Sequence, residues 1–138
     1  MYEISVRGHF SAAHRLRDYP GSCASLHGHN WEVTVLIRGD RLDALGMLVD
    51  FRDVKKAVRE TLAELDHVDL NTLAAFRRRN PTSENLARHI HEGMSRRLHG
   101  SRYAVDSIRV AETADSAVTY RPAAPRRKKR DRRAGKRA

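Results

Sequence analysis

Apolar and polar residues alternate from Tyr2 to His14, with Ile4, Val6, Phe10, Ala12 and His14 on one side. Side chains two apart on an extended chain point the same way, so residues 2–14 are predicted to form a strand. A loop over Arg15–Leu26 contains the turn signal Tyr19-Pro20-Gly21. The two-residue period returns from Trp31 to Ile37, predicting a second strand over about His29–Arg38 that ends at Gly39-Asp40. The short apolar run Met47–Phe51 reads as a possible extension of the sheet. The period then changes. Val54, Ala57, Val58, Leu62 and Leu65 recur at helical spacing after a cap at Asp53 or Asp50. Beyond a loop over Asp66–Asn80, Pro81-Thr82-Ser83-Glu84 is a helix start, and Leu86, Ile90, Met94 and Leu98 mark its buried stripe up to His99-Gly100. His89 and His91 lie two apart on that helix and do not share a face. Arg102–Thr113 reads as a third strand with Ile108, Val110 and Glu112 in phase, and Ser116–Arg121 as a fourth after the turn at Thr113-Ala114-Asp115. The order ββααββ predicts an α+β domain: a four-stranded antiparallel sheet with two helices on one face. Its other face and its edges then need partners, which predicts a homo-oligomer.

A chain of 138 residues has room for one domain with a real core. The formal charge of +10 is unevenly placed: residues 121–138 hold ten Lys or Arg and one Asp, so residues 1–120 are nearly neutral. The expected division is a folded domain over 1–120 and a disordered basic tail over 121–138, since the tail has no large apolar side chain to bury. The tail is expected to be solvated, or to contact RNA or another polyanion through counterion release. One cysteine excludes an internal disulfide, no apolar run is long enough for a bilayer, and Met1-Tyr2-Glu3-Ile4 lacks the pattern of a signal peptide. A cytoplasmic protein without membrane contact is expected.

The chemistry concentrates in Cys23-Ala24-Ser25-Leu26-His27-Gly28-His29-Asn30-Trp31. His27 and His29 share one strand face, and His14 joins them if the first two strands are neighbours. Three imidazoles with one position left open describe a catalytic zinc, whereas structural zinc is closed by four ligands, usually thiolates. Such a metal leaves hydrolysis, hydration and isomerisation all open. Cys23 reads either as a thiolate base or nucleophile near a cation or as an inert thiol. Asp66-His67 reads either as an orienting carboxylate with a proton carrier or as a helix C-terminal pair. Glu112, in phase with apolar neighbours, calls for hydrogen-bond donors from a ligand or for a salt bridge to Arg109 or Arg121.

The chain resembles the 6-pyruvoyl-tetrahydropterin synthase superfamily, and within it the bacterial 6-carboxy-tetrahydropterin synthases of queuosine biosynthesis. The resemblance spans about residues 3–121 and rests on Phe10–Leu16, Cys23–Trp31, Val49-Asp50-Phe51, Leu65-Asp66-His67, Leu70-Asn71, Pro81–Glu84 and Glu112-Thr113. It implies the tunnelling fold, in which subunits form an oligomeric barrel, usually a hexamer, with sites at the interfaces. It implies zinc on His14, His27 and His29, catalysis by Cys23 with Asp66 and His67, and pterin binding by Glu112 with Thr82 and Ser83. Three residues separate Cys23 from His27, the spacing of the carboxy-forming branch rather than the five of the pyruvoyl-forming one. The implied reaction converts 7,8-dihydroneopterin triphosphate to 6-carboxy-5,6,7,8-tetrahydropterin, releasing acetaldehyde and triphosphate. Its rivals are a pyruvoyl-type triphosphate lyase, a zinc hydrolase of another substrate, and a nucleic-acid-binding module acting through the tail. Arg15, Arg77, Arg78, Arg79 and Arg88 are all candidates for gripping the triphosphate.

Overall fold

The computed structural model describes residues 1–124. The expected basic tail therefore lies, from residue 125 onward, outside the described residues. Four strands, β1 (Tyr2–His14), β2 (His27–Gly39), β3 (Tyr103–Thr113) and β4 (Ser116–Tyr120), form one antiparallel sheet in the order β1-β2-β3-β4. Two helices, α1 (Phe51–Ala63) and α2 (Ser83–Arg97), fall between β2 and β3. α1 packs on β1, and α2 on β3, β4 and α1.

The alternation in the sequence sets which side the helices cover. On β1, Val6, Phe10, Ala12 and His14 are buried; on β2, Trp31, Val33, Val35 and Ile37 are. The helices supply Val54, Leu62, Leu86, Ile90 and Met94 to the same core. At the end of the sheet that bears the histidines, Phe10 and Trp31 sit opposite each other in register. Their rings stack at 5.0 Å with 13° between planes. Both are fully buried, and an aromatic pair of this geometry contributes about 0.5–1.5 kcal/mol beyond its buried area.

Both helices begin on the caps that the sequence offers. Asp50, rather than Asp53, caps α1, its side chain accepting from the Arg52 N–H, while Asp53 lies in the first turn. Thr82 caps α2 by accepting from the Asn85 N–H.

Two expectations change. Residues 47–50 do not extend the sheet: Asp43 takes the amides of Leu45 and Met47, and the Arg102 guanidinium donates to the carbonyls of Met47 and Leu48. With the Met47 amide and the Met47 and Leu48 carbonyls taken by side chains, the start of this segment is held away from a ladder. β3 is also less regular than its sequence reads. It shifts register against β2 around Asp106 and against β4 around Glu112. The first bulge switches the core phase, so that Val105, opposite Ile37, is buried ahead of Ile108 and Val110.

Candidate metal centre and substrate cavity

His14 and His27 close the β1–β2 ladder as register partners, and His29 lies opposite Ala12. Because His27 and His29 are two apart on β2, both rings turn to the side on which His14 lies. One ligand nitrogen from each comes within 4.8 Å of the others, a cluster that can hold a metal ion. Trp31 closes the group from beneath, edge-on to His14 at 5.0 Å and to His29 at 5.2 Å.

The hydrogen bonds of the rings select their free nitrogens. The Pro81 carbonyl lies 2.8 Å from His14 Nδ1, and the Ser25 carbonyl 2.7 Å from His27 Nδ1. A carbonyl only accepts, so both Nδ1 atoms carry the proton and both Nε2 atoms present a lone pair. His14 Nε2 is buried and has no hydrogen-bond partner among the described residues. A buried imidazole nitrogen left bare costs free energy, and a metal ion among the three rings would satisfy it. Burial, followed by the neighbouring His27 and His29, holds the His14 pKa below its ordinary value against the opposing pull of the Pro81 carbonyl. The ring is thus neutral, as a ligand must be, at neutral pH.

His14 opens onto a cavity of about 270 Å³ that Leu16, Thr82, Ser83, Glu112 and Val118 also line. Glu112 stands at the β3 bulge, a device that re-aims side chains beside sites. Ser83 Oγ donates to its Oε1 at 2.9 Å. Arg121 pairs instead with Asp106 at 3.0 Å, so the salt bridge weighed for Glu112 from that residue does not form. A carboxylate has about four lone-pair positions, so Glu112 keeps acceptor capacity toward the cavity. Thr82 lines the same space while its hydroxyl caps α2.

Asp66 and His67 occupy the outer edge of β1. Ser11 N–H donates to Asp66 Oδ1 at 2.9 Å, and His67 N–H donates to the Ser11 carbonyl. His67 adopts a left-handed backbone, with φ 56°. This lets its side chain fold back on its neighbour's, and Nδ1 donates to Asp66 Oδ2 at 2.9 Å. The Ser11 amide, and then His67, hold the Asp66 pKa below the usual carboxylate range. The imidazole faces a cleft of about 440 Å³ that Gly28 and His29 share with it. His29 is therefore common to the histidine cluster and to the cleft that His67 lines. Cys23, half-buried in a short turn at Ser22–Ala24, is the one free thiol and is not a donor of the cluster.

His89 and His91 stay apart from this chemistry. His91 Nε2 donates to the Val105 carbonyl at 3.0 Å, and His89 packs on Phe76. Several supporting groups gave no sequence signal: the carbonyls of Pro81 and Ser25, the Ser11 amide, and the side chain of Asn80, which together with that of Asn71 holds the chain just beyond His14. Asn71 was visible only as part of a family motif.

Comparison with known proteins places this arrangement. A protein of Archaeoglobus fulgidus named putative 6-carboxy-5,6,7,8-tetrahydropterin synthase is 36% identical over 118 residues, covering 86% of this chain and 94% of that protein. The 6-carboxy-5,6,7,8-tetrahydropterin synthase of Bacillus subtilis is 33% identical over 128 residues, covering 88% of this chain and 86% of its own. Among solved structures, 6-pyruvoyl tetrahydropterin synthase of Caenorhabditis elegans superposes with a TM-score of 0.80 at 27% identity, over 88% of this chain and 96% of that one. The family described as 6-pyruvoyl tetrahydropterin synthase matches residues 3–123, and the chain belongs to it.

Proposed function

We propose that the protein converts 7,8-dihydroneopterin triphosphate to 6-carboxy-5,6,7,8-tetrahydropterin, with release of acetaldehyde and triphosphate, in the route to queuosine. The observation that carries this reading is the junction at His14: one ring belongs both to a three-histidine metal cluster and to the cavity that holds Glu112. The three-residue gap from Cys23 to His27 and the names of the relatives favour the carboxy-forming branch. Zinc held by His14, His27 and His29 supplies a Lewis acid that lowers the pKa of substrate hydroxyls.

The protein's own side chains account for the rest. Glu112, held by Ser83, accepts from the 2-amino group and the adjacent ring N–H of the pterin, two parallel donors at the spacing of carboxylate oxygens. This fixes the ring with its side chain toward His14. Asp66, ionised and bonded to His67 Nδ1, fixes the tautomer in which Nε2 is the basic nitrogen. His67 and Cys23 then take up and return protons as the substrate side chain is lost. The working unit is a homo-oligomer, a hexamer in our reading, built through the free sheet edges.

The decisive experiment incubates the zinc-loaded protein with 7,8-dihydroneopterin triphosphate and identifies the pterin released. A 6-carboxy product with acetaldehyde supports the proposal. A 6-pyruvoyl product would move the chain to the sister branch, and an untouched substrate would remove the reading altogether.

A further inference from the structure

The loop that carries Cys23 leaves β1 immediately after His14, and it is held at its base in an uncommon way. Arg15 N–H donates to Asn71 Oδ1 at 2.9 Å, and Asn71 Nδ2 donates back to the Arg15 carbonyl at 3.1 Å. Two residues on, Arg17 N–H donates to Asn80 Oδ1 at 2.9 Å, and Asn80 Nδ2 donates to the Arg17 carbonyl at 3.1 Å. A carboxamide carries a donor and an acceptor side by side. Each asparagine therefore stands in for a backbone residue of a neighbouring strand, and together they continue the pairing of β1 past its end. Between the clamps, Leu16 lines the substrate cavity while its N–H donates to the carbonyl of Cys23 at 2.8 Å. That bond ties the clamped base directly to the cysteine's own backbone.

The clamps are themselves anchored. Asn71 N–H donates to Asp69 Oδ1 at 3.0 Å, and Asp69 bridges to Ala13 of β1. The carbonyl of Asn80 accepts from Asn85 Nδ2 at 2.8 Å, in the first turn of α2. Between them, the Arg17 guanidinium donates to the Phe76 carbonyl. One clamp thus belongs to the segment that bears Asp66 and His67, and the other to the helix start that bears Thr82 and Ser83. The cysteine loop is referenced to both parts of the site.

We propose that Asn71 and Asn80 are positioning residues that act through the backbone of Arg15–Arg17 to hold Cys23 where it transfers protons. The catalytic part rests on the function proposed above; the local part, that the two carboxamides fix the Cys23 loop, stands independently of it. A displacement of about 1 Å in a reacting group can cost about a hundredfold in rate, so the loop's fixity is worth more than its small contribution to stability.

The test makes Asn71→Ala, Asn80→Ala and the isosteric Asn71→Asp. The last keeps the Oδ1 acceptor but sets a carboxylate oxygen against the Arg15 carbonyl, so it probes the clamp if an alanine variant fails to fold. Each variant is also combined with Cys23→Ala. In the zinc-loaded protein each single variant is expected to lower kcat by about tenfold or more, the equivalent of a lost pair of hydrogen bonds, with KM and zinc per chain within about twofold. Added to Cys23→Ala, it should cost nothing further, because it acts only through the thiol. Amide hydrogen exchange should accelerate about tenfold over residues 15–25 and stay unchanged in β2 and α2, and the alkylation rate of Cys23 by iodoacetamide should change with it. Losses that add fully to Cys23→Ala, or a fall in zinc content, would show that the asparagines serve His14 or general stability instead. Unchanged exchange and alkylation in all three variants would overturn the clamp outright. If the unaltered protein fails to turn over the pterin, the functional reading falls alone, since exchange and alkylation still decide the local claim.

Discussion

His14 gives one ring nitrogen to a backbone carbonyl and leaves the other buried and bare, and this asymmetry separates it from the buried His91 and the half-buried His89. His91 spends its Nε2 on the Val105 carbonyl, and His89 leans on Phe76. His27→Ala or His29→Ala is accordingly expected to lower zinc per chain, by elemental analysis, far more than His89→Ala or His91→Ala. Full zinc in the first pair would refute the assignment. Protonation has a sign here as well. The His14 and His89 pKa values are depressed in the folded protein, chiefly by burial. Below the ordinary value of 6.5 the unfolded chain binds protons that the folded one refuses. Metal-free protein is therefore expected to melt at steadily lower temperature as pH falls from about 6.5 through the depressed values. His14→Gln should flatten part of that slope. Asp66, depressed by the Ser11 amide, acts in a separate window: its contribution is complete above about pH 3.9 and is lost only below it. At Glu112 the prediction concerns binding. Glu112→Gln places an amide donor against a pterin donor, so substrate affinity should fall about ten- to a hundredfold with zinc content unchanged. Equal affinity, by titration calorimetry, would mean that the carboxylate serves something else.

At the scale of elements, the legible features were those written in a short period. Alternation placed β1 and β2, the 3.6-residue stripe placed α1 and α2, and the same alternation put His14, His27 and His29 on one face. The features that escaped depend on partners far along the chain. Nothing near Met47 announces that Arg102 will take its carbonyl, and nothing near Asp106 or Glu112 announces a bulge. The fold-back of His67 onto Asp66 needs a left-handed backbone that no residue type demands. Where β2 ends, the requirement is steric. A Cβ on Gly39 would collide with the Arg102 carbonyl and come within 2.6 Å of Leu48, whereas one on Gly28 would meet only the Ala12 carbonyl at 3.7 Å, an ordinary contact. Gly39→Ala should therefore destabilise the protein by about 1–3 kcal/mol in urea unfolding. Gly28→Ala should leave stability nearly unchanged. Equal midpoints for the two variants would contradict this placement of the β2 end against the Arg102 segment.

For the whole molecule, the question is what meets the side of the sheet that carries no helix. That side bears Glu3, Ser5, Arg7 and His9 on β1 and Asn30, Glu32, Thr34, Leu36 and Arg38 on β2. Arg7 pairs with Glu32, and a chain of ion pairs runs from Glu3 through Arg38 and Asp106 to Arg121, reaching every strand of the sheet or its end. This face is mostly polar and charged, with Leu36 half-buried and Ala111 buried among its side chains, and the sheet edges are the other place where a partner is expected. Toward its C-terminal end, the outer edge of β1 is already occupied, the amides of Ser11 and Ala13 donating to Asp66 and the Val68 carbonyl. Those two bonds also fix the phase of the strand: N–H groups of odd residues point away from β2, so those of Glu3, Ser5, Arg7 and His9 line the open stretch. β4 presents the opposite edge. Ser5→Pro removes one outward donor without touching the β1–β2 ladder, a position where proline is tolerated in edge strands. If subunits join edge to edge, this variant should sediment as a smaller species than the unaltered protein while keeping its far-ultraviolet circular dichroism, and Ser5→Ala should assemble normally. An oligomer of unchanged size in Ser5→Pro would place the subunit contact elsewhere than on the open edge of β1.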